Sequence, residues 1–152
     1  MISNRSAPSA AIVPILIYPD VNAALEWLCD AFGFRERLRA ADGRGVVGHA
    51  QLVSGTGDIM IGRAGGPYVA PEGDRVHQYV LVAVNDVDAH FEHARARGAR
   101  IIEPPADMPF GTRHYTAADP AGHWWTFSQN IADVPPDAWG AVLRSPRTDH
   151  ES

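Results

Sequence analysis

The 152-residue chain carries seven histidines, 18 acidic residues, 13 basic residues and one cysteine, Cys29. Acid–base and metal chemistry would draw mainly on these side chains. A single cysteine excludes an intramolecular disulfide and any zinc site made of several thiolates. Cys29 falls within a helical pattern and reads as a small apolar residue turned inward. His49 stands on an apolar strand pattern beside Gly48. It is the candidate general acid or base near neutral pH, with an ordinary hydrogen-bonded histidine as the alternative. His77, His114 and His123 lie near strand ends with no carboxylate at ligand spacing. His90 and His93, flanked by Glu92 and Arg95, read as the solvated face of a helix. Nucleophile elbows, phosphate loops and dinucleotide fingerprints are absent, because the glycine pairs fall in hairpins and linkers.

These residues need elements to position them, and a repeat supplies the elements. Asp20 to Leu28 (DVNAALEWL) matches Asp86 to Ala94 (DVDAHFEHA), each copy preceded by an apolar run and followed by a glycine, Gly33 and Gly98. The pattern is a strand, an Asp N-cap, three helical turns and a C′ glycine. Apolar runs broken by turns follow each copy: Val46 to Val53 and Ile59 to Ile61 in the first, then Arg100 to Ile102, Arg113 to Ala117 and Trp124 to Phe127 in the second. Each half therefore reads β-α-β-β-β, Arg35 to Ala40 being the weakest strand. The expected layout is an N-terminal tail over 1–9, one domain over 10–131 and a C-terminal extension over 132–152. Within the domain, module one covers 10–62, a linker 63–76 and module two 77–131. Trp139 and Val142 are the residues of the extension expected to pack back.

Formal net charge is −5, and no basic cluster exceeds the scattered Arg95, Arg97 and Arg100. No nucleic-acid partner is expected. Apolar runs fall short of the roughly 20 residues of a membrane span, so no membrane partner is expected either. The stretch Ala10 to Tyr18 loosely imitates a signal peptide. Pro14 interrupts it and module two holds a copy of it, so a cytoplasmic location is expected.

The ordered motifs resemble the vicinal oxygen chelate superfamily of glyoxalases, bleomycin-resistance proteins and extradiol dioxygenases. They are Pro19-Asp20, Ala31-Phe32-Gly33-Phe34, Gly48-His49-Ala50 and the closing Asp119-Pro120-Ala121-Gly122-His123-Trp124-Trp125-Thr126-Phe127. The resemblance spans roughly residues 10–130. It implies an α+β fold, with two tandem βαβββ modules forming a curved mixed sheet around a cleft, and a homodimer. In metal-dependent members, His or Glu from the first strand and Glu from the last strand of each module hold a divalent ion. Those positions fall here near Pro14, at Met60 or Ile61, at Tyr79 and at Thr126. None is a usual ligand, and no Asp or Glu occurs from Ile59 to Ala70 or from Pro120 to Ala132. Neither a metal nor another cofactor is expected.

Strand alternation then assigns the cleft lining. Tyr79, Leu81 and Ala83 face it on one strand, Val47, His49, Gln51 and Val53 on another. Pro14, Leu16 and Tyr18 are expected to join them. With Met60, Trp124 and Thr126, the candidate ligand-binding set is Tyr18, His49, Gln51, Met60, Tyr79, Trp124 and Thr126. Tyr115 and Arg113 are expected either to close over a ligand or to decorate a hairpin. The composition of this lining suits an aromatic or amphipathic small molecule held without metal, as in bleomycin-resistance-type binding. Whether the chain catalyses anything is left open. The alternatives are an isomerase or lyase using His49 as acid/base, or a glyoxalase-like enzyme with a displaced metal site.

Overall fold

A computed structural model describes residues 2–144. The polar end of the chain, 145–152, lies outside the described residues. Module one runs β1 (Ile15–Tyr18), α1 (Val21–Phe32), β2 (Arg35–Ala41), β3 (Val47–Ser54) and β4 (Gly57–Arg63). Module two repeats the order with β5 (Val80–Ala83), α2 (Val87–Ala96), β6 (Arg100–Asp107), β7 (Thr112–Ala118) and β8 (Trp124–Asn130). The sheets have equivalent orders, β1-β4-β3-β2 and β5-β8-β7-β6, with the first strand parallel to the last and the rest antiparallel. This is the α+β, twice-repeated βαβββ arrangement, and the weakest expected strand, β2, is formed.

Local chemistry sets the helix ends. The Asp20 carboxylate accepts from the Ala23 N–H at 3.0 Å and Asp86 from the Ala89 N–H at 3.1 Å. Each such cap contributes about 1 kcal/mol. Gly33 closes α1 in the left-handed region at φ 76°, donating its N–H to the Cys29 carbonyl.

Each helix packs on one face of its own sheet and the two helices touch, so both modules share one core. Leu25, Leu28 and Phe32 of α1 pack with Leu16, Tyr18, Leu52 and Ile61 of the first sheet and with Trp125 and Phe127 of the second. The Phe32 ring lies 4.7 Å from Phe127 and 5.8 Å from Trp125, a tilted and an edge-on contact. Cys29 is only partly buried against this core, and burial pushes its thiol pKa up. The extension after β8 forms a short 3-10 turn, Pro136–Trp139, whose Trp139 ring meets Phe110 at 5.1 Å. Val142 is exposed rather than packed.

Candidate ligand-binding cleft

The helices cover one face of each sheet and leave the other without a helix. On β8 the core takes Trp125 and Phe127, so Trp124, Thr126 and Ser128 lie on the helix-free face. On β3 the core takes Ala50 and Leu52, which turns His49, Gln51 and Val53 the other way. The outermost strands β1 and β5 are not hydrogen-bonded to each other. Between them is a cavity of about 430 Å3, lined by Ile12, Ile15, Gln78, Tyr79, Leu81 and Trp124 among others. Ile15, Tyr79 and Leu81 are each more than half exposed there.

Of the expected site residues, Tyr79 and Trp124 line this cavity, and Met60 sits beside it, opposite Ile15 in the β1–β4 register. Thr126 occupies the same face, opposite Leu81, and its hydroxyl shares a hydrogen bond of 2.7 Å with Thr116. His49 is on the helix-free face of module one, partly buried, with no side-chain hydrogen bond among the described residues. Gln51 shares that face but is engaged. Its Nε2 donates to the Ser6 carbonyl at 2.9 Å, its Oε1 accepts from Arg37, and Arg37 also donates to the Arg5 carbonyl. The N-terminal segment thus lies across Gln51. A bulge in β2 between Glu36 and Leu38 brings Arg37 into this contact.

Several expectations need correction. Tyr18 is 2% exposed and Leu16 is also buried, so β1 turns Ile15 and Ile17 to the helix-free side; Pro14 and Leu16 still border the cavity between β1 and β5, and Tyr18 does not. Val47 belongs to the core, because Gly48 is an extra residue between the Ala41–Val47 and Ala40–His49 pairs and reverses the alternation before it. Tyr115 is buried against Phe127 and neither closes over a ligand nor decorates a hairpin. Arg113 is held by Asp88 and Asp107. His90 is a bridge between the modules, not a solvated helix face.

That bridge is one of three. His90 Nε2 donates to the Phe32 carbonyl at 2.8 Å, His93 Nε2 to the Asp30 carbonyl at 2.7 Å and His123 Nε2 to the Ile17 carbonyl at 2.7 Å. A carbonyl only accepts, so each Nε2 carries the hydrogen. His90 Nδ1 is then free to accept from the Tyr115 hydroxyl at 2.6 Å. Burial holds the His90 pKa below the usual histidine range, opposed by the bond to Phe32. The largest polar knot is Asp119. One carboxylate oxygen accepts from Tyr18 Oη at 2.5 Å and Trp125 Nε1 at 3.0 Å, the other from the Ala121 and His123 N–H groups. Burial, and then the Asp119 charge and hydrogen bond, raise the Tyr18 pKa well above its ordinary value. The turn Asp119-Pro120-Ala121-Gly122 is therefore an anchor between the modules, and this holds the walls of the cleft in place.

The positions where a divalent ion would sit can be tested on their donors. The helix-free residues of the four relevant strands include Ile15, Ile17, Met60, Leu81, Trp124 and Thr126. One hydroxyl, a thioether and an indole do not make a hard-cation or zinc site. Among the described residues no three His, Cys, Asp or Glu side chains lie close enough to share an ion. The residues present do not fit the ion.

Sequence reasoning overlooked the polar character of β7. Thr112, His114 and Thr116 alternate with core residues there and face the same way as Thr126. The T-R-H-Y-T spacing carries that signal, but the sequence reading names Arg113, His114 and Tyr115 there and neither threonine.

This geometry has relatives. Residues 10–127 match the Glyoxalase/Bleomycin resistance protein/Dioxygenase superfamily, and the chain belongs to that superfamily. It is similar to TioX from Micromonospora sp. ML1, at 40% identity and a TM-score of 0.68 over 81% of this chain and all of that one. An uncharacterized protein of Mycobacterium tuberculosis is 28% identical over 141 residues, 89% of this chain and 83% of that protein. The fold is shared with the fosfomycin resistance protein FosX of Listeria monocytogenes, at 17% identity and a TM-score of 0.61 over 81% of this chain and 94% of that one. Among the described residues no helix is long and apolar enough to cross a membrane.

Proposed function

We propose that this chain is a metal-independent small-molecule-binding protein that holds an aromatic or amphipathic ligand in the helix-free cleft. Antibiotic sequestration is the use that such binding suggests. The observation carrying this is the cavity between β1 and β5. Its lining exposes Ile15, Tyr79 and Leu81 beside Trp124, on the strands where metal-dependent relatives would place ligands. Apolar and aromatic surface in a concavity is the usual make-up of a small-molecule site. Membership of a superfamily that takes in bleomycin resistance proteins supports the antibiotic connection. The exposed apolar residues Ile12, Ile15, Tyr79 and Leu81 also favour a homodimer, which light scattering would detect as twice the 16.4 kDa chain mass.

A second reading keeps His49 as an acid/base group, since its ring sits on the helix-free face with no side-chain hydrogen bond among the described residues. It lacks the carboxylate that would orient it, which favours binding over catalysis. The test is calorimetric titration of the purified protein with Zn2+, Ni2+ and Mn2+, and separately with 2-ethylnaphthalene as an apolar aromatic probe. The proposal expects no stoichiometric metal binding and saturable binding of the probe, lost in Leu81→Asp. Stoichiometric binding of a divalent ion overturns metal independence, and absence of probe binding overturns the aromatic cleft.

A further inference from the structure

The helix-free face of module two carries a feature that an apolar cleft does not need. Register pairs Thr112 with Asn130, His114 with Ser128 and Thr116 with Thr126, and all six side chains lie opposite the core residues Tyr115, Ala117 and Phe127. The result is a two-by-three grid of polar side chains, about 5 Å across and about 14 Å along the strands. Thr116, Thr126 and Ser128 are only 7%, 3% and 8% exposed. Trp124, at one end of the grid, borders the β1–β5 cavity. Phe110 stands at the other end, edge-on to His114 at 6.1 Å and backed by Trp139.

The grid is under-satisfied. Among the described residues, three buried side-chain polar atoms have no hydrogen-bond partner: Thr112 Oγ1, His114 Nδ1 and Trp124 Nε1. All three belong to this one face. The Thr116–Thr126 pair adds a fourth unspent group, because one hydroxyl donates to the other and the acceptor's own hydrogen is left over. Buried polar groups in folded proteins are almost always paired, so a cluster of orphans marks a place where a partner belongs.

We infer that this grid is a polar recognition subsite for an uncharged, amide-like edge of the ligand. The inference rests on the binding reading above and specifies the ligand class. The indole N–H can only donate, so the ligand must offer an acceptor there. Threonine hydroxyls donate and accept, so a carbonyl beside an N–H or O–H satisfies them, as a carboxamide or peptide unit does. No Asp, Glu, Lys or Arg is in the grid. Arg113, between Thr112 and His114 in sequence, belongs to the opposite alternation and is held by Asp88 and Asp107. Glu103, opposite Thr116 in the β6–β7 register, adds negative charge at the border. An anionic headgroup would therefore lose its hydration without gaining a counter-charge.

The experiment compares probes that share a naphthalene ring: naphthalene-2-carboxamide, naphthalene-2-carboxylate, naphthalen-2-ylmethylammonium and 2-ethylnaphthalene, titrated by calorimetry at pH 7.5. The carboxamide should bind at least about ten-fold tighter than the ethyl compound and the carboxylate weakest. Thr112→Val should cut the carboxamide advantage about five-fold, the effect of one lost hydrogen bond, while leaving the ethyl compound unchanged, and Trp124→Phe should cut the same advantage whatever it does to the affinity for the ethyl compound. Equal affinity for carboxamide and ethyl probes overturns the polar subsite but leaves the binding reading standing. A carboxylate or ammonium that binds as tightly as the carboxamide overturns it too, as does an advantage untouched in both variants. If no probe binds, the binding reading itself falls.

Discussion

Replacing Asp119 by Asn exchanges one carboxylate oxygen for an NH2 group and tests how the two modules are held together. The side chain is buried, and its four accepted hydrogen bonds come from Tyr18, Trp125, Ala121 and His123. An amide oxygen can keep the two backbone N–H bonds. Its NH2 group then faces the Tyr18 hydroxyl and the Trp125 indole, both of which were donating. One hydrogen bond to a charged acceptor is lost, about 1.5–3 kcal/mol, and a fully buried indole N–H is orphaned at about 1–3 kcal/mol more. The sum is about 2.5–6 kcal/mol, or a fall on the order of 10 °C in Tm for a domain of this size. Tyr18→Phe removes a single donor and should cost about 1.5–3 kcal/mol. Urea unfolding followed by tryptophan fluorescence and far-UV circular dichroism measures both, with an unchanged m-value showing that two-state behaviour persists. An Asp119→Asn cost below about 1 kcal/mol would refute the reasoning. So would a Tyr18→Phe variant as damaged as the Asn variant, since the indole would then contribute nothing.

Two further outcomes follow from the same contacts. His90 has a folded pKa below its unfolded value near 6.5, so its contribution to stability is full above that pH and is lost as pH falls toward the folded pKa. The urea midpoint should therefore drop between pH 7.5 and 5.5, and by less in His90→Gln; equal drops in the two proteins would refute it. Gly111 has φ 92°, and a Cβ there would sit 2.3 Å from the Ala132 carbonyl oxygen. Gly111→Ala should cost about 2 kcal/mol or more by thermal unfolding and should loosen the extension after β8, which limited proteolysis would detect as faster cutting near 131–144. Unchanged cutting would show that the Gly111 carbonyl bonds to Ile131 and Ala132 do not secure that segment.

Much of the fold was legible because its signals are local. Asp20 and Asp86 cap helices whose free N–H groups lie three residues on, and Gly33 takes a backbone conformation that a side chain would resist. The duplicated βαβββ pattern needed nothing beyond such caps, turns and apolar runs. On β8 the alternation between Trp124, Thr126 and Ser128 and the core pair Trp125 and Phe127 was also readable, because period two is a property of the strand itself.

Alternation does not say which set of an all-apolar strand is buried. In Ile15-Leu16-Ile17-Tyr18 every residue qualifies, and the burial of Leu16 and Tyr18 was decided by α1 above them and by Asp119, 101 positions away. His90 looked like a polar helix surface until the Phe32 carbonyl and Tyr115 hydroxyl reached it from other elements. Val47 changed sides because Gly48 is an extra residue opposite β2, a shift of register visible only once the strands pair. The sequence alone therefore determined the two modules, their caps and most strand faces, since these depend on neighbours a few residues apart. Only the tertiary structure decided which apolar faces meet, which histidines become bridges and where unpaired polar groups gather, since those depend on surfaces brought together from distant parts of the chain.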